Sequence, residues 1–318
     1  MQYKSNALCN YVKENTSEFF YFANKNIWIM LGANKDDCQP KTCFIVSEVN
    51  DLSSFKSEYL LQNEEEAFSL VRMIIPSNSN IKTFGFRYLI QVGDITNVHM
   101  FYRGIISLDE LKQHFVEMGL NIQQKNTGKG INQYSSSSYH EWQRKALGNK
   151  VVFTDLDLIG FNDLGIPDVL YELKRSTKEI GNWAPYTVEP YSNDLNNYLL
   201  QFNFCKQIKL DYITVFNRYE KKSDNTQKDY LENLDIWVVN EQIIQKKETG
   251  EKQLFENIGK YEISDFINRI PLMDYRIQKK RCPFCNNLLI RKNGRYGKKD
   301  FLACPNFPNC KGFIKPIE

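Results

Sequence analysis

The sequence predicts a multidomain α+β protein: an α+β unit first, then a body with a mixed sheet flanked by helices, then a small cysteine-bearing module. Three observations carry this. The chain has 318 residues, 42% hydrophobic and 25% charged, enough for two or three cores and close to globular rather than disordered or fibrous composition. Short apolar, β-rich runs alternate with stretches of helical spacing. Four of the eight cysteines, Cys282, Cys285, Cys304 and Cys310, fall after residue 280.

Residues 1–122 read as the first α+β unit. Strands are expected at Ile27–Leu31, Thr42–Val49, Phe84–Val92 and Val98–Ile105, where β-branched and aromatic residues cluster. Glu64–Ile75 places Phe68, Val71 and Ile75 on one side of a helix. Ser107 with Glu110 three residues on forms a capping box for a helix through Met118, and Gly119 ends it. Residues 123–138 are polar and glycine- and serine-bearing, and read as a linker. Their Gly128-Lys129-Gly130 lacks the spacing of a phosphate loop.

The second unit, residues 139–270, runs helix (Tyr139–Leu147), strand (Val151–Phe161), turn (Asn162–Pro167), strand (Asp168–Lys174), helix (Asn193–Gln207) and strands at Tyr212–Phe216 and Ile236–Val239. A further helix is expected at Ser264–Arg269. A mixed sheet with helices on its faces packs this order best. No internal repeat is visible.

Carboxylates interrupt the apolar strands of this unit. Asp155 and Asp157, two apart on one expected strand, project to one face, and so do Glu172 and Lys174 on the next. If the turn makes these strands antiparallel neighbours, like charges converge at a cost in stability. A divalent cation resolves the conflict, and carboxylate oxygens suit Mg²⁺ or Mn²⁺.

Asp157 followed after a hairpin turn by Glu172-Leu173-Lys174 resembles the core of the PD-(D/E)xK, or restriction-endonuclease-like, nuclease superfamily. The resemblance covers roughly residues 136–240 and implies a helix-strand-strand-helix-strand fold. It implies metal ligation by Asp157 and Glu172, with Lys174 assisting the attacking water. Asp155 competes with Asp157 for the single aspartate position of the family, and Asp157 is favoured. The family often adds a glutamate on the preceding helix, and Glu141 fits that place. The literal Pro167-Asp168 reads as the start of a strand, because three residues before Glu172 are too few to reach another one. Asn197 and Gln201, four apart on a helix and facing one way, either contact the scissile phosphate or support Lys174, or are surface polars. Trp183 and Tyr186 read as packing residues.

The charge is uneven. Residues 275–318 hold eleven of the 41 basic and two of the 38 acidic residues, a local +9, which leaves 30 and 36, or −6, in the rest. A basic end on an acidic body reads as a nucleic-acid handle. Within residues 276–318 the pattern C-x2-C, eighteen residues, C-x5-C predicts a closed four-thiolate Zn²⁺ site that folds a module too small for a core of its own. Cys9, Cys38, Cys43 and Cys205 read as buried thiols.

The run from Cys282 through Leu288-Leu289-Ile290-Arg291-Lys292, with Phe301-Leu302-Ala303-Cys304-Pro305-Asn306-Phe307 after it, resembles the C-terminal zinc ribbons of bacterial type IA topoisomerases. The resemblance implies single-stranded DNA binding through exposed aromatic and basic residues. The matching positions are Phe284, Arg291, Arg295, Tyr296, Phe301 and Phe307. Together these readings predict a Mg²⁺-dependent DNA endonuclease with a zinc-ribbon DNA handle, in a restriction, phage-defence or mobile-element setting. A homodimer or a defence-system partner protein fits that setting, and the alternatives are an RNA nuclease or a non-catalytic nucleic-acid-binding subunit. No bilayer-length apolar run and no basic region leading into an apolar one is seen, so a cytoplasmic protein is expected.

Overall fold

The computed structural model describes residues 7–16, 19–20, 26–51, 57–91, 94–123, 138–176, 195–221, 227–239, 255–294 and 299–316. The elements, in chain order, begin with α1 (Ala7–Asn15), β1 (Phe19–Phe20), β2 (Ile27–Asn34), β3 (Pro40–Val49), α2 (Glu58–Ile74), β4 (Lys82–Gln91), β5 (Asp94–Met100), β6 (Gly104–Ile105) and α3 (Leu108–Glu117). Then follow α4 (Ser138–Ala146), β7 (Val151–Asp155), β8 (Leu158–Phe161), β9 (Pro167–Ser176), α5 (Leu195–Ile208), β10 (Asp211–Lys221), β11 (Gln227–Val239) and β12 (Phe255–Tyr261). Two short helices, α6 (Ile263–Ile267) and α7 (Ile270–Gln278), lead to β13 (Ile290–Lys292), β14 (Phe301–Ala303) and β15 (Ile314–Pro316). The linker expected at 123–138 lies almost wholly outside the described residues. None of the described helices is long and apolar enough to cross a membrane.

Two six-stranded sheets form the body, in the orders β6-β5-β4-β3-β2-β7 and β1-β8-β9-β10-β11-β12, and β13-β14-β15 form a third, small sheet. The fold is thus mixed α+β with a terminal ribbon. One core joins the sheets. Ile29, Leu31 and Ile45 of the first and Ile159, Leu170 and Phe216 of the second share a buried cluster with Leu70 and Ile74 of α2 and Tyr198 and Phe204 of α5. The outer face of the first sheet packs on α3 and α4 through an aromatic cluster of Phe44, Phe86, Phe115, Tyr139 and Trp142. The outer face of the second packs on α1, α6 and α7 through Leu8, Val12, Phe266 and Leu272.

The strand expected over 151–161 is two strands in two sheets. Residues of β7 pair with β2, Met30 opposite Asp155, while β8 pairs with β9, Leu158 opposite Tyr171. The cause is packing. Along β7 alternate side chains serve different clusters, Val152 the shared core and Phe153 the aromatic one, as the two-residue period of a strand requires. Helix α4 follows β7 into the first unit, since Tyr139 and Trp142 complete that aromatic core. In the other direction α1 and β1 belong to the second unit, with Phe19 opposite Gly160.

Local signals came through where the chemistry is local. Ser107 and Glu110 form the expected capping box. Ser57 caps α2, its hydroxyl accepting from the Leu60 N–H at 3.2 Å, so this helix starts six residues before the expected one. One buried ion pair, Arg87 with Glu64, ties β4 to α2. Burial pushes the Glu64 carboxyl up to about 6, against the pull of Arg87 and a Ser47 hydrogen bond. A folded value above the unfolded one of about 4.3 means that Glu64 favours the fold fully at low pH, and that this contribution is lost as pH rises through about 6. Glu64→Gln is expected to flatten the corresponding fall in denaturant-measured stability, while lowering its overall level because Arg87 loses its partner. An unchanged slope in that window would exclude Glu64 as its source.

Candidate active site and zinc centre

Asp157 directly precedes β8, and its Oδ2 accepts the Leu173 N–H of β9 at 2.8 Å. One step along the Leu158–Tyr171 register therefore sets Asp157 beside Glu172. Glu172 is buried. Its Oε1 meets Lys174 Nζ at 2.5 Å, and its Oε2 accepts from Gln201 Nε2 at 2.5 Å. Lys174 also lies over the Tyr198 ring, 5.2 Å from its centroid, which holds the chain of methylenes in place.

Gln201, fully buried on α5, is the hub of the site. Its amide nitrogen also donates to the Asp155 carbonyl at 2.8 Å and the Thr154 hydroxyl at 3.1 Å, and its oxygen accepts from Tyr212 OH at 2.7 Å. Burial, then the charge of Glu172, keeps the Tyr212 phenol well above its usual range, so it stays a donor. Gln201 is thus not a surface polar residue, and its charged partner is Glu172 rather than Lys174. Asn197 lies with Asp155 and His140 around a cavity of about 210 Å³ beside the cluster.

Asp155 and Asp157 do not share a strand face. Asp155 ends β7 in the first sheet and Asp157 opens the second, but only Leu156 separates them and their charges interact. Burial, then Glu172 and Asp155, push the Asp157 carboxyl well above the carboxylate range, against Lys174 and the Leu173 N–H. Three acids and one lysine are thus short of positive charge. Carboxylate oxygens are the donors Mg²⁺ and Mn²⁺ take, but Asp155, Asp157 and Glu172 do not close into a cluster of metal-ligand spacing among the described residues.

Glu141 is not brought in. No described interaction joins it to the acids, and α4 turns its neighbour His140 toward Asp155 instead. Burial holds the His140 imidazole below its usual pKa, Asp155 opposing and Arg144 adding to the effect. Tyr212 and Thr154 had no signal in the sequence, since a tyrosine and a threonine on strands read as core and packing residues. Trp183 and Tyr186 lie outside the described residues.

Asp168 is held elsewhere. Arg269 meets its Oδ1 at 2.5 Å and Arg276 its Oδ2 at 2.9 Å, while Arg276 also reaches Asp211 at 2.7 Å. Arg276, 1% exposed, donates further to the Pro283 carbonyl at 2.9 Å, which anchors the base of the ribbon to the body. The literal Pro-Asp pair is therefore structural.

In the ribbon the sulfurs of Cys282, Cys285, Cys304 and Cys310 all lie within 4.8 Å of one another. Thiolates about 2.3 Å from a tetrahedral zinc stand about 3.8 Å apart, so the donor set fits Zn²⁺. The Asn287 amide and the Gly312 N–H donate to Cys285 and Cys310 sulfurs at 3.4 and 3.2 Å, the outer contacts that steady thiolate charge. Cys9, Cys38, Cys43 and Cys205 are buried, and among the described residues no second metal cluster forms. Phe307 is 67% exposed, Phe301 is half-buried, and exposed Arg291 is held by two bonds to Asp300 at 2.7 and 3.0 Å. Arg295 and Tyr296 lie outside the described residues.

Residues 279–318 match the family described as Topoisomerase DNA binding C4 zinc finger. The terminal module is a zinc ribbon of that type. A 51-residue segment is 45% identical to DNA topoisomerase 1 of Mycoplasmoides gallisepticum (strain R(low / passage 15 / clone 2)). That likeness covers 16% of this chain and 6% of that protein. No solved structure matches the chain.

Proposed function

We propose that the protein is a Mg²⁺-dependent DNA endonuclease whose zinc ribbon holds the DNA. The observation that carries this reading is the convergence of Asp157, Glu172 and Lys174 on the β8–β9 hairpin, buttressed by Gln201 from the helix that crosses to the parallel strand β10. A divalent cation held by Asp157 and Glu172, with Asp155 beside them, would neutralise the scissile phosphate and acidify the attacking water. The residues themselves do the positioning. Gln201 and the Leu173 N–H hold the Glu172 and Asp157 carboxylates in place. The Lys174 ammonium donates to the water or to the charge building on the phosphate oxygens.

The ribbon supplies affinity without sequence reading. Exposed Phe307 and half-buried Phe301 can stack on bases, and Arg291 and its lysine neighbours meet phosphates. A larger groove, about 1080 Å³, runs between α5, α7 and the ribbon and is lined by four cations, Lys206, Lys209, Lys279 and Arg281, against two acids, Asp211 and Glu256. Its basic lining suits a strand running from the ribbon onto the body.

Purified protein with Mg²⁺ or Mn²⁺ and plasmid DNA tests the reading. Wild type is expected to cleave, and Glu172→Gln and Lys174→Ala each to slow cleavage by about 10²- to 10³-fold. Equal rates for all three would remove the assignment of the site. No cleavage of DNA by the wild type, with binding retained, would favour the non-catalytic alternative, and cleavage confined to RNA would change the substrate.

A further inference from the structure

The two sheets of the body are built on one plan. In the first, β2 and β3 form an antiparallel hairpin, α2 crosses to β4 parallel to β3, and β5 returns antiparallel. In the second, β8 and β9, then α5, then β10 and β11 repeat each step. A further strand closes each sheet beside the hairpin, antiparallel in both cases: β7 on β2 and β1 on β8. Each of these follows a helix, α4 or α1, and each helix–strand pair belongs by chain order to the other half. Such a reciprocal exchange is what two swapped protomers show. Here one chain contains both.

The side-chain faces equate positions. Glu172 lies on the face of β9 that α5 covers, bonded to Gln201, and Leu170 of that face enters the core shared by the two sheets. On β3 the face toward that core carries Cys43 and Ile45, and the two-residue period adds Ser47 and Val49. Ser47 stands beside Glu64 of α2 as Glu172 does beside Gln201 of α5, and it faces Ile27 as Glu172 faces Asp157 one step along its register. The first half thus has Ile27, Ser47 and Val49 where the second has Asp157, Glu172 and Lys174. Glu48 lies on the opposite face, its Oε2 accepting from Tyr88 OH at 2.6 Å, and the Glu64 carboxylate is bound by Arg87. An isoleucine, a serine and a valine leave neither the negative charge that gathers a divalent cation nor the ammonium that would face a phosphate.

We infer that the chain is an internal pseudo-dimer with a single cutting centre, and that it nicks one strand of duplex DNA per encounter. This rests on the nuclease reading above. Cutting both strands in one encounter needs two centres, which nucleases commonly obtain by pairing two copies. In this chain the paired copy is already present, joined through a shared core, and its centre is dismantled. Each event joins a water oxygen to phosphorus and breaks the P–O3′ bond. One proton of that water ends on the 3′ oxygen and the other leaves from the new 5′-phosphate.

The test has two readouts on the full chain with its zinc retained. Mn²⁺ binding outside the ribbon, followed by electron paramagnetic resonance, is expected to weaken by at least about tenfold in Glu172→Gln. It should stay within about twofold of wild type in Ser47→Ala and in Glu64→Gln, each measured below its unfolding transition. Supercoiled plasmid at low protein concentration should pass through nicked circles as the main product before linear DNA appears. Linear DNA formed without a nicked intermediate, or Mn²⁺ binding that falls in the Ser47 or Glu64 variants, would overturn the single-centre inference and leave the nuclease reading standing. No Mn²⁺ binding and no cleavage of any nucleic acid would overturn both.

Discussion

Replacing Cys304 with serine, or stripping the zinc with a chelator, is expected to unfold residues 279–316 while the two-sheet body stays folded. The ribbon has three strands of three residues each, and its buried apolar side chains among the described residues are Cys282, Leu289 and Cys304, with Phe284, Leu302 and Phe313 packed beside them. So small a core does not outweigh the entropy of ordering the segment. A structural zinc contributes about 10–16 kcal/mol of apparent binding free energy, all of it available to folding. The ribbon's ties to the body among the described residues include the Arg276 bond to the Pro283 carbonyl and the exposed Lys311–Asp163 and Lys279–Glu256 pairs at 2.5 and 4.0 Å. Metal analysis should find one zinc per chain in the wild type and none in the variant. Amide exchange should then show protection lost after residue 282 and retained in β9 and β10. On the functional reading above, DNA affinity and its salt dependence fall together, because the basic residues no longer share one surface. Retained protection in a zinc-free ribbon would refute this account of its stability.

Asp168→Ala is expected to destabilise the body by about 3–5 kcal/mol, the usual cost of removing one partner from a buried ionic network. Two acids, Asp168 and Asp211, balance two arginines, Arg269 and Arg276, of which Arg276 is nearly inaccessible. The change leaves Arg269 without a carboxylate partner and Arg276 with Asp211 as its sole one, where water cannot replace the lost oxygens. It also loosens α7, and with it the base of the ribbon. Replacing the network as a whole with apolar residues of similar volume should recover most of the loss, since the charges cost much of what they return. Chemical denaturation measures the effect. Mn²⁺ binding measured below the unfolding transition separates this role from metal ligation: Asp168→Ala should bind as wild type does, and loss of the metal from a folded variant would make Asp168 a ligand after all.

Much of the candidate site was legible because its parts are close in sequence. The alternation of charged and apolar residues in Glu172-Leu173-Lys174, and the six-residue turn before them, bring a hairpin and its register with them. The helix contribution was not. Glu141 had the right spacing on an expected helix, but spacing does not say which sheet that helix covers. Helix α4 covers the first sheet with Tyr139 and Trp142, so His140 rather than Glu141 lies by Asp155. Gln201 was visible only as a polar residue on a helix. Its three acceptors come from β7 and β9, strands of different sheets.

The repeat was hidden for a related reason. The two halves share connectivity and register, yet Ser47-Glu48-Val49 and the equivalent Glu172-Leu173-Lys174 agree at no residue. A sheet needs only the pattern of buried and exposed positions to persist, and many sequences satisfy it.

By itself the sequence determined the ribbon, because four thiolates at short spacing and a metal define a structure almost without help from elsewhere. It determined the hairpin that carries Asp157, Glu172 and Lys174, because a turn and a two-residue period are local. Only the tertiary structure decided that Asp155 and Asp157 sit in different sheets, and that each half closes the other's sheet with its first helix and strand. An edge strand pairs with whichever sheet offers unpaired backbone and a matching core, and both belong to residues over a hundred positions away.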